Sequence, residues 1–278
     1  MEKVDSHQHF WKFNPQRDNW ITEEMEVIAH DFLPSDLEPL LRENGLSACV
    51  AVQADQSEEE THFLLSLAKE NPFIKAVVGW VDLCSPQFEE RLEYFSDFKT
   101  LKGFRHIVQA EPLGYMLQAD FQQGIRALGK YNYTYDILIY PHQIPDAIQL
   151  VKSHPNQTFV LDHLAKPDIK NSGMKVWAKQ MEELASFENL YAKLSGLITE
   201  ADLQDWKKED IQPYMEKGLE LFGAERLLFG SDWPVCKLAA EYGQVCKLVT
   251  DFFQTLSANE QEMIWAKNAA HFYKFSLV

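Results

Sequence analysis

The chain has 278 residues, of which 46% are hydrophobic and 24% are charged, and its formal net charge at pH 7 is −16. These shares are ordinary for a folded protein with a large core, so disorder is not indicated. The negative charge argues against nucleic acid and anionic membranes as partners, because binding either needs a basic surface. No apolar run approaches the length of a membrane-spanning helix.

The cysteines are few for this length, and none of them forms a CxxC pair. They are Cys49, Cys84, Cys236 and Cys246. This usage predicts reduced thiols in a cytoplasmic protein, not a disulfide framework or a zinc knuckle. We expect no secretory signal peptide, because the first residues lack a basic segment followed by an apolar one.

Short apolar runs alternate with helix-like segments along the whole chain. Eight runs have the composition of buried strands, at residues 2–10, 48–54, 74–83, 101–108, 133–141, 157–165, 189–197 and 226–234. Eight strands alternating with helices predict a (β/α)₈ TIM barrel that spans residues 1–278 as a single domain. A doubly wound open sheet is the alternative, but the chain lacks the GxGxxG signature of its dinucleotide-binding version.

The segments between these runs carry helix signals. Ser57 with Glu60, and Ser257 with Glu260, have the spacing of capping boxes at helix starts. Further helices are predicted to begin at Ser35 and at Asp120. Asn71-Pro72, Gly45 and Gly223 are typical helix ends.

Polar and ionisable residues cluster at the ends of these runs, where the active site of a parallel barrel lies. They are His7 and His9; Gln53; Trp80 and Asp82; Arg105 and His106; Tyr140 and His142; Asp162 and His163; Lys193 and Ser195; Ser231 and Asp232.

His7 and His9 are two apart on the first strand, so both side chains face the barrel axis. The first and last strands of a closed barrel are neighbours, which predicts that Asp232 lies beside the two histidines. His163 enters from another strand. Three imidazoles and one carboxylate suit a zinc-type site with an open position for water. Without metal, the same set could polarise a carbonyl while Asp232 draws a proton from water.

Other residues near these strand ends have alternative interpretations. Arg105 and His106 are predicted to bind substrate, with a structural salt bridge or helix cap as the alternative. His142 either binds substrate or lies in a loop. Lys193 is interpreted as the partner of a buried carboxylate, and Lys166 either as a loop charge or as part of the pocket mouth.

Asp5 and Asp162 precede the candidate residues and are predicted to point to the opposite face, as structural partners. Trp11 and Trp233 directly follow site motifs, so we expect them to form a wall of the pocket. Trp80 is interpreted as a core residue.

The motifs VDSHQHFW, VQA, GFRH, VLDHLAKP, KLSGL and RLLFGSDWPV together resemble the amidohydrolase superfamily, in particular its sugar-lactonase branch of metal-dependent TIM-barrel hydrolases. That branch includes hydrolases of L-fuconolactone and L-rhamnonolactone. The resemblance covers essentially the whole chain. It implies that His7, His9 and His163 are catalytic or hold a metal, and that Asp232 activates water.

The chain lacks two features of the superfamily's two-metal members, a bridging lysine or glutamate and a second downstream histidine. The resemblance therefore implies one divalent metal, most simply zinc, or none.

The resemblance implies a lactonase acting on a small sugar-acid lactone, as a monomer or homodimer. Asp232 would take a proton from water while the histidines stabilise the oxyanion. Arg105, His106, Gln53, His142 and Trp233 would contact the substrate. The alternatives are a decarboxylase, a lactonase acting on an aromatic-degradation intermediate, and a non-catalytic sugar-acid sensor. A serine esterase fits poorly, because no GxSxG motif occurs.

Overall fold

The computed structural model describes residues 1–277. Its eight strands form a single sheet, in which they are arranged in the order of the sequence. Every neighbouring pair is parallel. The strands are β1 Val4–Gln8, β2 Ala48–Val52, β3 Ile74–Gly79, β4 Leu101–His106, β5 Thr134–Ile137, β6 Phe159–Leu161, β7 Leu190–Leu194 and β8 Leu227–Phe229. All eight lie within the predicted runs, so the sequence reading of the strands is confirmed.

The first strand meets the segment that follows the last one. Gln8 forms a parallel bridge with Trp233. The amide of His9 donates to the carbonyl of Trp233 at 2.7 Å, and the amide of Asp232 donates to the carbonyl of His7 at 2.8 Å. These bonds join the two edges of the sheet into a barrel, which confirms the (β/α)₈ prediction and excludes an open doubly wound sheet.

Seven helices lie between successive strands, and three more follow β8. They are α1 Pro34–Glu43, α2 Glu58–Glu70, α3 Phe88–Phe95, α4 Ala119–Lys130, α5 Ile144–Ser153, α6 Met174–Ala185, α7 Lys208–Phe222, α8 Tyr242–Phe253, α9 Ala258–Glu262 and α10 Asn268–Phe272. A π-helical turn, Met263–Lys267, joins α9 to α10. The helices predicted from Ser35 and Asp120 each begin one residue earlier.

The two predicted capping boxes have different outcomes. At Ser257 both reciprocal hydrogen bonds with Glu260 are present. At Ser57 only half of the box forms: the amide of Glu60 donates to Ser57 Oγ at 3.1 Å. The Glu60 carboxylate instead accepts from the amide of Ala54 at 3.2 Å, because the chain between β2 and α2 turns that amide toward it. The predicted box at Ser57 is therefore wrong in its second half.

The C-terminal helix closes the barrel at the end opposite the strand tips. Ala269 and Phe272 of α10, with the flanking Ala266 and Tyr273, pack against the apolar side chains inside the barrel, which include Val4, Val50, Val78, Val160 and Leu228. Parallel strands covered by helices are buried on both faces, which explains their continuous apolar runs.

The cysteines and the helices agree with what composition predicted. All four cysteines are free, and Cys49, Cys236 and Cys246 are buried. The cytoplasmic location inferred from them stays a prediction. Within residues 1–277, no helix combines the length and the apolar character needed to cross a membrane.

Burial gives Glu60 an unusual titration. Burial raises the pKa of Glu60 to about 7, although its bond from Ala54 and the charge of Arg17 oppose the rise. Because the folded chain holds this proton more tightly, the stabilising contribution of the carboxyl is present at low pH and lost as pH rises through 7. We compare the unfolding free energy of Glu60→Gln with that of wild type. We expect the difference to shift in favour of the variant by roughly 2–3 kcal/mol as the pH rises from about 5 to about 8.

Urea unfolding at both pH values measures this difference. Glu59→Gln is the matched control, because Glu59 is exposed on the same helical turn. It should follow wild type at both pH values. The same pH dependence in wild type and Glu60→Gln would contradict the prediction.

Candidate active site

The four residues predicted to form a cluster meet at the mouth of the barrel. His7 Nε2 lies 3.2 Å from His9 Nε2. Asp232 Oδ1 lies 3.3 Å from His9 Nε2 and 3.7 Å from His7 Nε2. His163 Nε2 is 3.8 Å from the same carboxylate oxygen. The three imidazoles therefore present their Nε2 atoms around Asp232: a register shift in β1 between Asp5 and Gln8 precedes the inward His7 and His9, and barrel closure brings Asp232 beside them.

The outer nitrogens of two of these rings are anchored. His9 Nδ1 lies 2.8 Å from the carbonyl oxygen of Val52, and since a carbonyl only accepts, this nitrogen carries the proton. His163 Nδ1 lies 2.8 Å from Ser195 Oγ. The ring of His9 therefore donates outward through Nδ1 and turns Nε2 toward the centre of the site.

The protonation states suit a base surrounded by neutral rings. Burial lowers the pKa of His7 well below its ordinary value and lowers the pKa of His163 to about 4. Burial alone would raise the pKa of Asp232, but the interactions with His163 and His9 outweigh it and hold that pKa below its ordinary value. At neutral pH Asp232 is therefore ionised and His7 and His163 are neutral.

An unusual backbone segment places His163. Residues 163–166 all have positive φ angles between 50° and 59°, although none is glycine. A left-handed residue other than glycine costs about 1–2 kcal/mol, so packing must hold this segment. Trp177 on α6 does so in part, because its Nε1 donates to the carbonyl of Leu164 at 2.8 Å.

Below the cluster lies a buried ionic group. Lys193 Nζ is 2.6 Å from Asp136 Oδ2 and 3.0 Å from Asp162 Oδ1. Arg105 donates to Asp162 Oδ2 at 3.1 Å, and His7 Nδ1 is 3.2 Å from Asp162 Oδ1. The interpretation of Lys193 as the partner of a buried carboxylate therefore agrees with the structure.

Asp162 corrects one prediction. It does not face away from the site, because it lies two residues after Val160, whose side chain is inside the barrel; the left-handed turn that begins at His163 brings that ring to the same side. Burial alone would raise its pKa, but Lys193, His7 and Arg105 hold the pKa of Asp162 well below its ordinary value. Asp5 does face the other way, where its carboxylate accepts from the Ser231 hydroxyl at 2.6 Å and from the Tyr242 hydroxyl at 3.0 Å.

A cavity of about 390 Å³ opens over the cluster. It reaches the cluster at His9, Arg105, His163 and Asp232. The volume lies near the lower end of the range of roughly 300–1,000 Å³ for small-molecule sites. The remaining lining comes from loops: Trp11, Arg17, Asp18, Asn19, Trp20, Ala54, Asp55, Gln56, Ile107, Gln109, Ala110, Leu138, Lys166 and Val235.

Four residues predicted to contact substrate lie outside this lining. Gln53 is buried and holds Arg105, accepting from the guanidinium through both its carbonyl and its side chain. His106 bonds Glu111 at 2.9 Å and receives Trp80 Nε1 at 3.2 Å. His142 is exposed and stacks on Tyr140.

Trp233 is the fourth. It is buried against Phe10 and Phe32, so it packs behind the cluster and does not form the pocket wall that was predicted. Trp11 does line the cavity, and Lys166 lies at its edge near Glu200, with 3.6 Å between the charged atoms. Trp80 is only half-buried, not a core residue.

Sequence reasoning missed the lining from residues 17–20 and 54–56. Residues 17–20 belong to the long loop after β1, where Arg17 pairs with the neighbouring Asp18 at 2.7 Å. Loop residues follow no hydrophobic period, so no pattern marks them. The length of the segment between β1 and α1 was the available signal, since long loops at this barrel face commonly build the site.

The donor set fits one divalent metal. His7, His9 and Asp232 each offer an atom within 4.8 Å of the others. Zinc bonds of 2.0–2.1 Å in a tetrahedron separate ligand atoms by about 3.3 Å, close to the spacing around His9. A second set, His7, Asp162 and His163, also meets the distance limit. Asp162 is already paired with Arg105 and Lys193, so the first set suits a metal better.

Comparison with known proteins decides the family. Residues 4–275 match the family described as Amidohydrolase. The chain belongs to this family.

Two relatives of this amidohydrolase match nearly its whole length. A protein of Burkholderia multivorans named L-fucono-1,5-lactonase is 40% identical over 98% of this chain and 95% of its own. A protein of the same name from Burkholderia ambifaria is 33% identical over the same shares. A crystal structure of a B. multivorans amidohydrolase with bound zinc is 39% identical, with a TM-score of 0.96, over 99% of this chain and 100% of that one.

Gly196, just after β7, gives a test of how tightly the cluster is packed. Its φ is +62°, and a Cβ there would lie 2.5 Å from His163 Nδ1 and 3.1 Å from Asp232 Oδ2. We expect Gly196→Ala to lower the unfolding free energy by about 1 kcal/mol for the left-handed backbone and by a further 1–3 kcal/mol or so for the collision.

Gly45→Ala is the matched control. Gly45 has a φ of +72°, and nothing lies within 4 Å of the added Cβ. In urea unfolding, Gly45→Ala should lose only the part of the unfolding free energy that comes from the left-handed backbone. Equal losses of unfolding free energy in Gly196→Ala and Gly45→Ala would contradict the prediction, because they would show that the cluster moves to make room for the extra methyl group.

Proposed function

We propose that this amidohydrolase is a lactonase that opens a sugar-acid lactone, with L-fucono-1,5-lactone, named in two relatives, as the first substrate to test. The observation that carries the proposal is an ionised carboxylate, Asp232, among three Nε2 atoms at the inner end of the cavity.

Asp232 is placed to act as the base. It is ionised at neutral pH, and its Oδ1 atom lies where the cavity meets the imidazoles. A water held there gives a proton to Asp232, and its oxygen forms a bond to the lactone carbonyl carbon. The ring C–O bond of the tetrahedral intermediate then breaks, and Asp232 returns the proton to the leaving alkoxide. The product is a hydroxy acid, which ionises in water.

The oxyanion of the tetrahedral intermediate forms beside the positive charge and the N–H groups of the Arg105 guanidinium. Arg105 lines the cavity and is held in place by Asp162 and Gln53, so its guanidinium needs no reorganisation during the reaction. His163 Nε2 lies 3.8 Å from Asp232 Oδ1 and lines the cavity, outside the candidate metal set of His7, His9 and Asp232.

A zinc ion, held by His7, His9 and Asp232, would supply Lewis-acid polarisation of the carbonyl. The relative with bound zinc and the spacing of the donor atoms support a metal here.

The cavity wall suits a polyhydroxylated ring. Trp11 and Trp20 meet edge to face at 6.0 Å and offer an apolar surface. Asp18, Gln56 and Gln109 add hydrogen-bonding groups around it. Such a mixture of apolar faces and a few polar groups is typical of small-molecule sites.

Asp232→Asn tests the base. Amide nitrogen cannot accept the proton, so we expect turnover of aldonolactones to fall by about 10²–10⁴-fold while the fold is kept. The measurement is the initial rate of acidification over a panel that includes L-fucono-1,5-lactone. Each protein is assayed after chelation and again after zinc is added back.

Asp205→Asn is the control, because the Asp205 carboxylate is 85% exposed and remote from the cavity. Full activity of Asp232→Asn would remove Asp232 from the mechanism. Carbon dioxide release from a carboxylated substrate, with no acidification by lactones, would favour the decarboxylase. Lactone binding without turnover in wild type would favour the sensor.

A further inference from the structure

Two cationic side chains besides Arg105 line the cavity, and each of them is paired with a carboxylate. They are Arg17, in the loop after β1, and Lys166, in the turn after β6. Arg17 donates to both oxygens of Asp18, from Nε at 2.7 Å and from Nη2 at 2.8 Å. Lys166 Nζ lies 3.6 Å from Glu200 Oε1. Neither cation is therefore free to neutralise a charged group on a ligand.

The pair of Lys166 and Glu200 is largely withdrawn from solvent, with side chains that are 18% and 19% exposed. Lys166 Nζ also lies 5.5 Å from the centre of the Tyr140 ring. The amide of Lys170 donates to the carbonyl of Glu200 at 3.1 Å, which joins the segment after β6 to the segment after β7. Salt screens partly buried charges less than exposed ones, so Glu200 cancels much of the positive potential that Lys166 alone would give the cavity.

Two further carboxylates of the lining, those of Asp55 and Asp232, give the cavity negative charge. Asp55 accepts from the Ser57 hydroxyl at 2.6 Å, and the close neighbours of Asp232 are histidine rings. Among residues 1–277, no lysine or arginine forms an ion pair with either carboxylate. A ligand with a carboxylate on its ring would therefore bury that charge beside like charges and without a free cation, which is costly.

We propose that Glu200 is a specificity-determining residue, which cancels the charge of Lys166 and so restricts the cavity to lactones whose ring substituents are uncharged. Hydroxyl and methyl substituents are accepted, and a carboxylate on the ring is rejected. The Lys166 ammonium can still donate to sugar hydroxyls, because it has three N–H groups. The inference rests on the proposed function, since it names the substrate class of that site. It concerns ring substituents, so it does not depend on whether the candidate metal set is occupied.

The binding of two matched sugars tests this selection without turnover. L-Fucose and L-galacturonate have the same ring and stereochemistry, differ by a methyl group or a carboxylate at carbon 6, and contain no lactone bond. Isothermal titration calorimetry at pH 8 gives their dissociation constants. At this pH Glu200 is ionised, although burial raises its pKa above the ordinary value. Wild type should prefer L-fucose. Glu200→Gln should bind L-galacturonate about tenfold more tightly than wild type does, with no more than about a threefold change for L-fucose.

Two further variants separate the charge of Lys166 from other effects. Asp202 pairs with Lys170 at 3.2 Å between the same two segments, but neither residue lines the cavity. Asp202→Asn should therefore leave both dissociation constants at their wild-type values. Lys166→Met combined with Glu200→Gln removes both charges of the pair, so the ratio of the two dissociation constants should return to that of wild type.

Circular dichroism confirms folding before each titration. No gain in L-galacturonate binding by Glu200→Gln, or an equal gain in Asp202→Asn, would overturn the proposal. A gain that persists in the double variant would show a change of cavity shape and would also overturn it. If Glu200→Gln does not fold, wild type still decides, because equal or tighter binding of L-galacturonate than of L-fucose contradicts the selection. Neither sugar is hydrolysed, so a failed lactonase assay and a failed selection are separate outcomes.

Discussion

The backbone contact between residues 7–9 and 232–233 is the constraint on which the site depends. Its two hydrogen bonds, of 2.7 and 2.8 Å, close the barrel and at the same time place Asp232 beside His7 and His9. The same bonds therefore fix the fold and the geometry of the cluster. Asp232 has a φ of 59°, so the chain accepts a strained backbone at this junction, as functional sites often do.

The second constraint is the charge buried beneath this junction. Burying an ion costs several kcal/mol, and Asp162 tolerates it because Lys193, Arg105 and His7 all approach its oxygens. Burial raises the pKa of Asp136 to about 6, even though Lys193 opposes the rise, so that carboxylate is the less stabilised of the two. Tyr273, at the end of the C-terminal helix, donates to Asp136 at 2.7 Å. The helix that closes the far end of the barrel thus supports the charges under the site.

The sequence predicted the strands well, because parallel strands buried on both faces must be apolar along their whole length. It also predicted the His7, His9 and Asp232 group, since strand alternation and barrel closure leave little freedom there. It misplaced Asp162, because Asp162 follows the alternation of β6 inward and His163 is the residue that leaves it, in a left-handed turn that contains no glycine to mark it. The left-handed backbone at Asp232 is likewise unmarked, and the Trp233 side chain after it packs toward Phe10 and Phe32.

The strand ends and the loops have different roles in this barrel. The residues of the cluster come from the ends of β1, β6 and β8, whose positions are fixed by the sheet, whereas residues 17–20 and 54–56 come from the loops after β1 and β2. Loops can change sequence without disturbing sheet hydrogen bonds or the buried ion pairs. Substitutions in the loops should therefore alter the shape of the cavity before they alter the geometry around Asp232. The outer wall of the cavity in this amidohydrolase is then set by its loops, and the arrangement of His7, His9 and Asp232 is set by the closed sheet.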